Sequence, residues 1–262
     1  DLSDKEGFKE ALKEINGDNL DVILHSPGGS PEATETIVKL LRSRFSDVRF
    51  LIPNIDKSAA TMLAMSGNEI LIGDDAELGP IDPQMVIKGR LNPAHAILGQ
   101  FKSAKEELAQ NSEFLTAWLP ILEQYGPSLL VECENAIKLT ETLVKTWLTS
   151  YMFESQGAAA RKAANVSRFL ANKKHLSHGR SILIEELQNK GVNIKKASGC
   201  SPSLSTILQD INLVVLQTFA TTGAFKIFEN NHGKGFYKVV QQQVIQLPMQ
   251  AFQQGLPQNP QP

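Results

Sequence analysis

Apolar and polar residues alternate between two periods along the first 73 residues, and the switches between them outline a set of elements. "SDKEGFKEALKEING" (residues 3–17) is amphipathic at helical spacing, carries Ser3 and Glu6 in capping-box spacing and ends at Gly17, which predicts a first helix. "LDVILH" is a short apolar run and predicts a buried strand. "SPEATETIVKLLRSRF" follows, with Pro31 at an early position and Ile37, Leu40, Leu41 and Phe45 on one helical face. "DVRFLIP" predicts a second strand, "SAATMLAMSG" a short helix of small residues, and "NEILIG" a third strand before the turn "DDAELGPIDP". Strand, helix, strand, helix, strand predicts a parallel sheet with right-handed crossovers, and a ligand site at the carboxyl ends of its strands. That edge holds both the Gly28-Gly29 turn and Ser58.

From about residue 93 to 153 the pattern is helical, with "AHAILGQFKSAKEELAQ" and "SLLVECENAIKLTETLVKTWLTSYMF". Residues 154–180 are small and basic, and predict helix mixed with linker. "SILIEELQNKG" and "LSTILQDINLVVLQTFATTGAF" continue the ordered chain, whereas the tail "LPMQAFQQGLPQNPQP" is rich in Gln and Pro and reads as disordered. The expected organisation is a core over 1–153, a helical extension over 154–246 and a tail over 247–262.

Composition narrows the function classes. The chain has 262 residues, 42% of them apolar, and a formal net charge of -2 with both signs interspersed, so there is no basic footprint for nucleic acid. Cys133 and Cys200 are the two cysteines and lack metal-ligand spacing, which predicts neither a disulfide framework nor a zinc site. No apolar run reaches the roughly 18 residues that span a bilayer. The chain starts at Asp1 rather than Met, which leaves membrane association open; a cytoplasmic location is expected.

Chemistry concentrates around two short stretches. Ser58 stands where a strand passes into the small-residue helix, which puts its hydroxyl at the positive end of a helix dipole. The Ala59 amide points the same way, and the Gly28-Gly29 backbone lets a carbonyl approach closely, so a nucleophile and oxyanion donors are one reading. The other is that Ser58 is an N-cap and the glycines an ordinary turn. GxxxxGKS and GxGxxG are both absent, which argues against a phosphate cradle.

A nucleophilic serine needs a base. Of the five histidines only His25 and His95 are near the region in sequence. Lys105 falls on the margin of the apolar stripe formed by Ala94, Ile97, Leu98, Phe101, Ala104 and Leu108, while Lys102 points away from it. A lysine held against apolar surface loses hydration and becomes available as a neutral base; a lysine whose stem snorkels over that surface does not. The base therefore stays open among Lys105, Lys102 and His95.

The stretches "LDVILHSPGGSPEATETIVKLLRSRF", "PNIDKSAATMLAMSGNEI" and "DDAELGPIDPQ", with the later "LSHGRSI", resemble the ClpP/crotonase superfamily and most closely the serine dehydrogenase proteinase family, related to signal peptide peptidase A. The resemblance implies an α/β fold, a spiral of ββα units with a helical C-terminal extension. It implies a serine peptidase with Ser58 as nucleophile, Gly28, Gly29 and Ala59 as the oxyanion hole, peptide or protein as substrate, and no metal or other cofactor. ClpP has a histidine after the strand that follows its serine, and "ELGPIDPQ" has none, which argues against a Ser-His-Asp arrangement; signal peptide peptidases use a downstream lysine, which fits the helix of Lys102 and Lys105, so a Ser-Lys dyad of Ser58 with Lys105 is the expectation. Relatives form rings or stacks, so a homo-oligomer is expected. A catalytically silent scaffold and a crotonase-type acyl-CoA enzyme are the competing readings.

Overall fold

A computed structural model describes residues 1–240; the expected tail 247–262 lies outside the described residues. The six elements predicted before residue 73 all form. They are α1 (Asp4–Ala11), β1 (Asn19–Ile23), α2 (Pro31–Arg42), β2 (Asp47–Ile52), α3 (Ala59–Ala64) and β4 (Glu69–Ile72), separated after β2 by a two-residue strand β3 (Ile55–Asp56). α1 stops well before Gly17, and its expected capping box does not form: Ser3 gives its hydroxyl to the Asp1 carboxylate and Glu6 pairs with Lys9. α2 begins as predicted, with the Ser30 hydroxyl accepting the Ala33 N–H at 3.1 Å and Pro31 in the first turn.

The main sheet is parallel and has four strands in the order β1, β2, β4, β8, where β8 is Ile194–Lys196. One row across it reads Val22, Phe50, Ile70, Ile194, and the next reads Ile23, Leu51, Leu71, Lys195. Because side chains alternate between faces, the first row faces the large core with Leu41, Met62 and Met65, and Leu51 and Leu71 of the second meet Ala197, Leu204 and Leu208 on the other side. Both faces are covered, which is why β2 and β4 read as continuous apolar runs.

Beyond the carboxyl edge the chain adds a second, smaller layer. Ser26 bridges Asp56 in parallel, β3 pairs with β5 (Glu77–Leu78), and Leu78 bridges Ile182 in antiparallel fashion. Strand, short strand and helix thus recur as β1, Ser26 and α2, then as β2, β3 and α3.

Residues beyond 153 enter the same core rather than a separate one. α6 (Leu129–Trp147) contributes Val144, the turn that follows it contributes Leu148, α7 (Ala159–Leu170) contributes Val166 and Leu170, and β8 contributes Ile194, all buried in one cluster with Phe50 and Ile72. Two hairpins complete the described chain. β6 (Gln84–Ile87) and β7 (Arg90–Pro93) turn through Lys88 and Gly89, both at positive φ, and lead into α4 (Ala94–Gln110) and α5 (Leu115–Leu122). After α8 (Ile184–Gln188), α9 (Ala197–Cys200) and α10 (Pro202–Thr221), β9 (Ala224–Glu229) and β10 (Gly235–Val239) pair with each other. Among the described residues no helix is long and apolar enough to cross a membrane.

Candidate active site

Ser58 lies between β3 and α3 with φ 53° and ψ -120°, a conformation that carries strain for any residue with a Cβ. Its hydroxyl makes no capping bond, in contrast to Ser30, so the strand-to-helix junction does not use this serine as an N-cap. The result is a half-buried hydroxyl held at a strained turn after a strand, with no partner among the described residues.

Gly28 makes that turn possible. Its φ is 113°, and a Cβ there would sit 2.8 Å from the Lys57 carbonyl oxygen and 2.9 Å from the Ser58 Cβ, closer than carbon atoms tolerate. The Gly28 N–H donates to the Ser26 hydroxyl at 3.1 Å and is therefore committed. Among the described residues the Gly29 and Ala59 amides have no acceptor. Thr34 of α2 lies against both halves, its hydroxyl 3.1 Å from the Ser30 carbonyl and 3.4 Å from the Ala59 carbonyl.

Three segments are stitched at this point. The Thr61 hydroxyl donates to the Asp56 carbonyl at 2.8 Å, and the Gly79 N–H donates both to that carbonyl and to the Thr61 hydroxyl. Ile182 N–H donates to the Leu78 carbonyl at 2.9 Å. Lys57, next to the serine, donates to Glu77 at 2.6 Å and to the Ser181 hydroxyl at 3.0 Å, and hydrogen bonds from these two groups hold the Glu77 carboxyl below its usual range. Hence the chain around Ser58, the stretch from Leu78 to Asp82 and the stretch from His178 to Ile182 form one unit.

That unit contains a histidine and an acid in direct contact. His178 Nδ1 lies 2.8 Å from Asp82 Oδ1, and Asp82 Oδ2 accepts the Gln84 amide at 2.8 Å. An ionised carboxylate only accepts, so Nδ1 carries the proton and Nε2 of the neutral ring presents its lone pair. Nε2 has no partner among the described residues, and the ring is partly open to solvent. Neither residue was among the candidate bases, although Asp82 stands in "LGPIDPQ" and His178 in "LSHGRSI". The signal was the presence of an acid and a histidine in two motifs already singled out.

The candidate bases occupy other settings. Lys105 and Lys102 are exposed on α4, and Lys102 pairs with Glu106 at 3.7 Å, so the described chain does not supply the desolvation that a neutral lysine base requires. His95 Nε2 faces the Ala171 carbonyl at 2.9 Å, which places the proton on that nitrogen. His25 is half-buried, its Nδ1 has no partner, and burial lowers its pKa.

Gly28, Gly29 and Ala59 also border a cavity of about 1820 Å³ that runs along β1 toward β9 and α10; Ser58 and His178 do not line it. No group of three or more His, Cys, Asp or Glu side chains arranged to hold a metal occurs among the described residues.

Comparison with known proteins gives the family. Two uncharacterized proteins of Methanocaldococcus jannaschii are similar to parts of the chain: MJ0137 is 32% identical over 85 residues, 32% of this chain and 30% of its own, and MJ1495 is 29% identical over 115 residues, 44% of this chain and 38% of its own. The chain thus spans about a third of the length of these curated relatives. No solved structure matches it. The family described as ClpP-like SDH-type serine proteinase matches residues 1–199, more than half of the length, and the chain belongs to that family.

Proposed function

We propose that the protein hydrolyses peptide bonds through an acyl-enzyme on Ser58, with His178 as general base and acid, Asp82 orienting it, and the Gly29 and Ala59 amides receiving the oxyanion. The observation that carries this reading is Ser58 itself: a non-glycine residue at positive φ, with an uncapped hydroxyl, seated against a glycine that no other residue can replace. Gly28 serves by its missing Cβ rather than by its amide, which Ser26 occupies.

The steps follow from the groups present. Ser58 Oγ attacks the carbonyl carbon of the scissile bond while His178 Nε2 takes the hydroxyl proton, and Asp82 stabilises the imidazolium without itself being protonated. The oxygen of the tetrahedral intermediate becomes an anion, to which two uncommitted amides donate. Collapse breaks the carbon–nitrogen bond as Nε2 gives its proton to the departing amine. A water then attacks the ester, Nε2 takes its proton, and the released Ser58 hydroxyl recovers it.

The finer parts of the fold reading belong here too. The recurrence of strand, short strand and helix supports a ClpP/crotonase-like spiral of ββα units, with residues 154–246 as an extension that lends α7 and β8 to the core. A homo-oligomer is supported by α5, which exposes Leu115 and Leu119 and buries none of its residues. The test of function is hydrolysis of a labelled peptide library by wild type and by Ser58→Ala. Turnover in the wild type that the substitution abolishes supports the proposal; equal turnover by both contradicts it.

A further inference from the structure

Asp56 is the one carboxylate of the described core that is wholly enclosed, and the reaction proposed above does not use it. Its surroundings connect all three segments of the site. The backbone carbonyl accepts from Thr61 and from Gly79, fixing the nucleophile segment to the stretch that leads to Asp82. The side chain turns the other way: Oδ1 accepts the Ser26 N–H at 3.1 Å, and the Ser26 hydroxyl accepts the Gly28 N–H at 3.1 Å. Two hydrogen bonds therefore run from the residue two before the nucleophile to the glycine turn.

Structural need does not account for this carboxyl. The Ser26 N–H already donates to the Ile55 carbonyl at 2.9 Å, so it would remain satisfied without Asp56. Oδ2 is buried with no partner, and burying a polar atom without a hydrogen bond lowers stability. Desolvation drives the carboxyl well above its usual pKa toward the neutral form, in which asparagine is its close counterpart in shape and charge. A group that weakens the fold and touches the turn beside the nucleophile has its effect in the site.

We propose that Asp56 is a positioning residue: acting through Ser26, it sets the 26–29 turn against Ser58, so that the Gly29 amide and the nucleophile keep the relative placement the acyl transfer requires. The inference rests on the acyl-enzyme reading. It assigns Asp56 no contact with substrate.

The experiment measures kcat and KM for p-nitrophenyl acetate, together with thermal denaturation, in wild type, Ser58→Ala, Asp56→Ala and Asp56→Asn. Asp56→Ala is expected to lower kcat about ten- to a hundredfold with KM little changed, the size of effect that a misplaced reacting group produces. Its melting temperature stays level or rises. Asp56→Asn, which keeps an acceptor at Oδ1, is expected to restore kcat to within about threefold of wild type. Unchanged kcat in Asp56→Ala overturns the inference, as does an equal loss in Asp56→Asn or a melting temperature that falls in step with activity. A wild type no more active than Ser58→Ala instead defeats the acyl-enzyme reading, and the assignment of Asp56 with it.

Discussion

His178 and Asp82, separated by 96 residues, meet through a 2.8 Å contact between Nδ1 and Oδ1. The contact fixes the histidine tautomer, because the acid can only accept, and it leaves Nε2 as the basic nitrogen. Asp82→Asn replaces an acceptor with an amide that can present its N–H to Nδ1 and favour the wrong tautomer. Loss of kcat on the order of 10⁴ is expected, with little change in melting temperature, measured by ester and peptide hydrolysis. A loss below about tenfold would remove Asp82 from its orienting role.

Strain at Ser58 predicts a stability difference between two substitutions that both remove the hydroxyl. Ser58→Gly releases the positive φ and Ser58→Ala retains it. Strain relief of about 1–3 kcal/mol outweighs the extra unfolded-chain entropy of glycine, roughly 0.5–1 kcal/mol, so Ser58→Gly is expected to melt above Ser58→Ala. The reverse order in thermal denaturation would show that the turn is relaxed.

The two glycines of the turn separate in the same way. Gly28→Ala places a Cβ within 2.9 Å of Ser58 Cβ at a φ of 113°, and is expected to cost about 2–5 kcal/mol and abolish activity. Gly29→Ala meets nothing nearer than 3.9 Å and has no positive φ, so the fold is expected to hold. Chemical denaturation of both variants checks the contrast.

Lys105→Ala distinguishes the histidine base from a lysine base. The side chain is exposed on α4, and replacement is expected to leave kcat within about twofold. A hundredfold or greater loss would return the base to this helix, by contact with a neighbouring copy.

Burial of Asp56 has a signature in stability against pH. Its folded pKa is raised above the ordinary 3.8, so the folded chain holds this proton more tightly than the unfolded chain does. The stability linked to that proton is full below about pH 3.8 and declines as pH rises toward the folded pKa. The side chain faces the neutral Ser26 N–H, the Asp56 backbone carbonyl is met by the neutral Thr61 and Gly79, and Lys57 is turned to Glu77 and Ser181. Asp56→Asn removes the decline, so its melting temperature relative to wild type is expected to increase from pH 4 to pH 7. A constant difference across that range would show that Asp56 ionises normally.

The elements before residue 73 were legible because each has a strong local period and a clear stop: Pro31 and Ser30 start α2, and the apolar runs of β2 and β4 are bounded by polar turns. β8 was not, because Ile194 is the one buried side chain in a three-residue strand that exists only by pairing with β4. The β6–β7 hairpin was hidden because Lys88-Gly89 is a weaker turn signal than Asn-Gly. Lys105 attracted attention through helical spacing, but only Ala94, Ile97 and Ala104 of that stripe are buried, so its margin lies in solvent. In the site, the placing of Gly28 and Ser58 at strand-to-helix junctions follows from local sequence, whereas the contact of His178 with Asp82 depends on the bridge between Leu78 of β5 and Ile182. No spacing in the chain encodes that distance.

The measurement that tests the central claim most directly is intact-protein mass spectrometry after treatment with a fluorophosphonate, on wild type, Ser58→Ala and His178→Ala. A single adduct that maps to Ser58, absent from Ser58→Ala and formed at least about a hundredfold more slowly in His178→Ala, is the expected result. An adduct that persists in Ser58→Ala, or a wild type that never reacts, would contradict it.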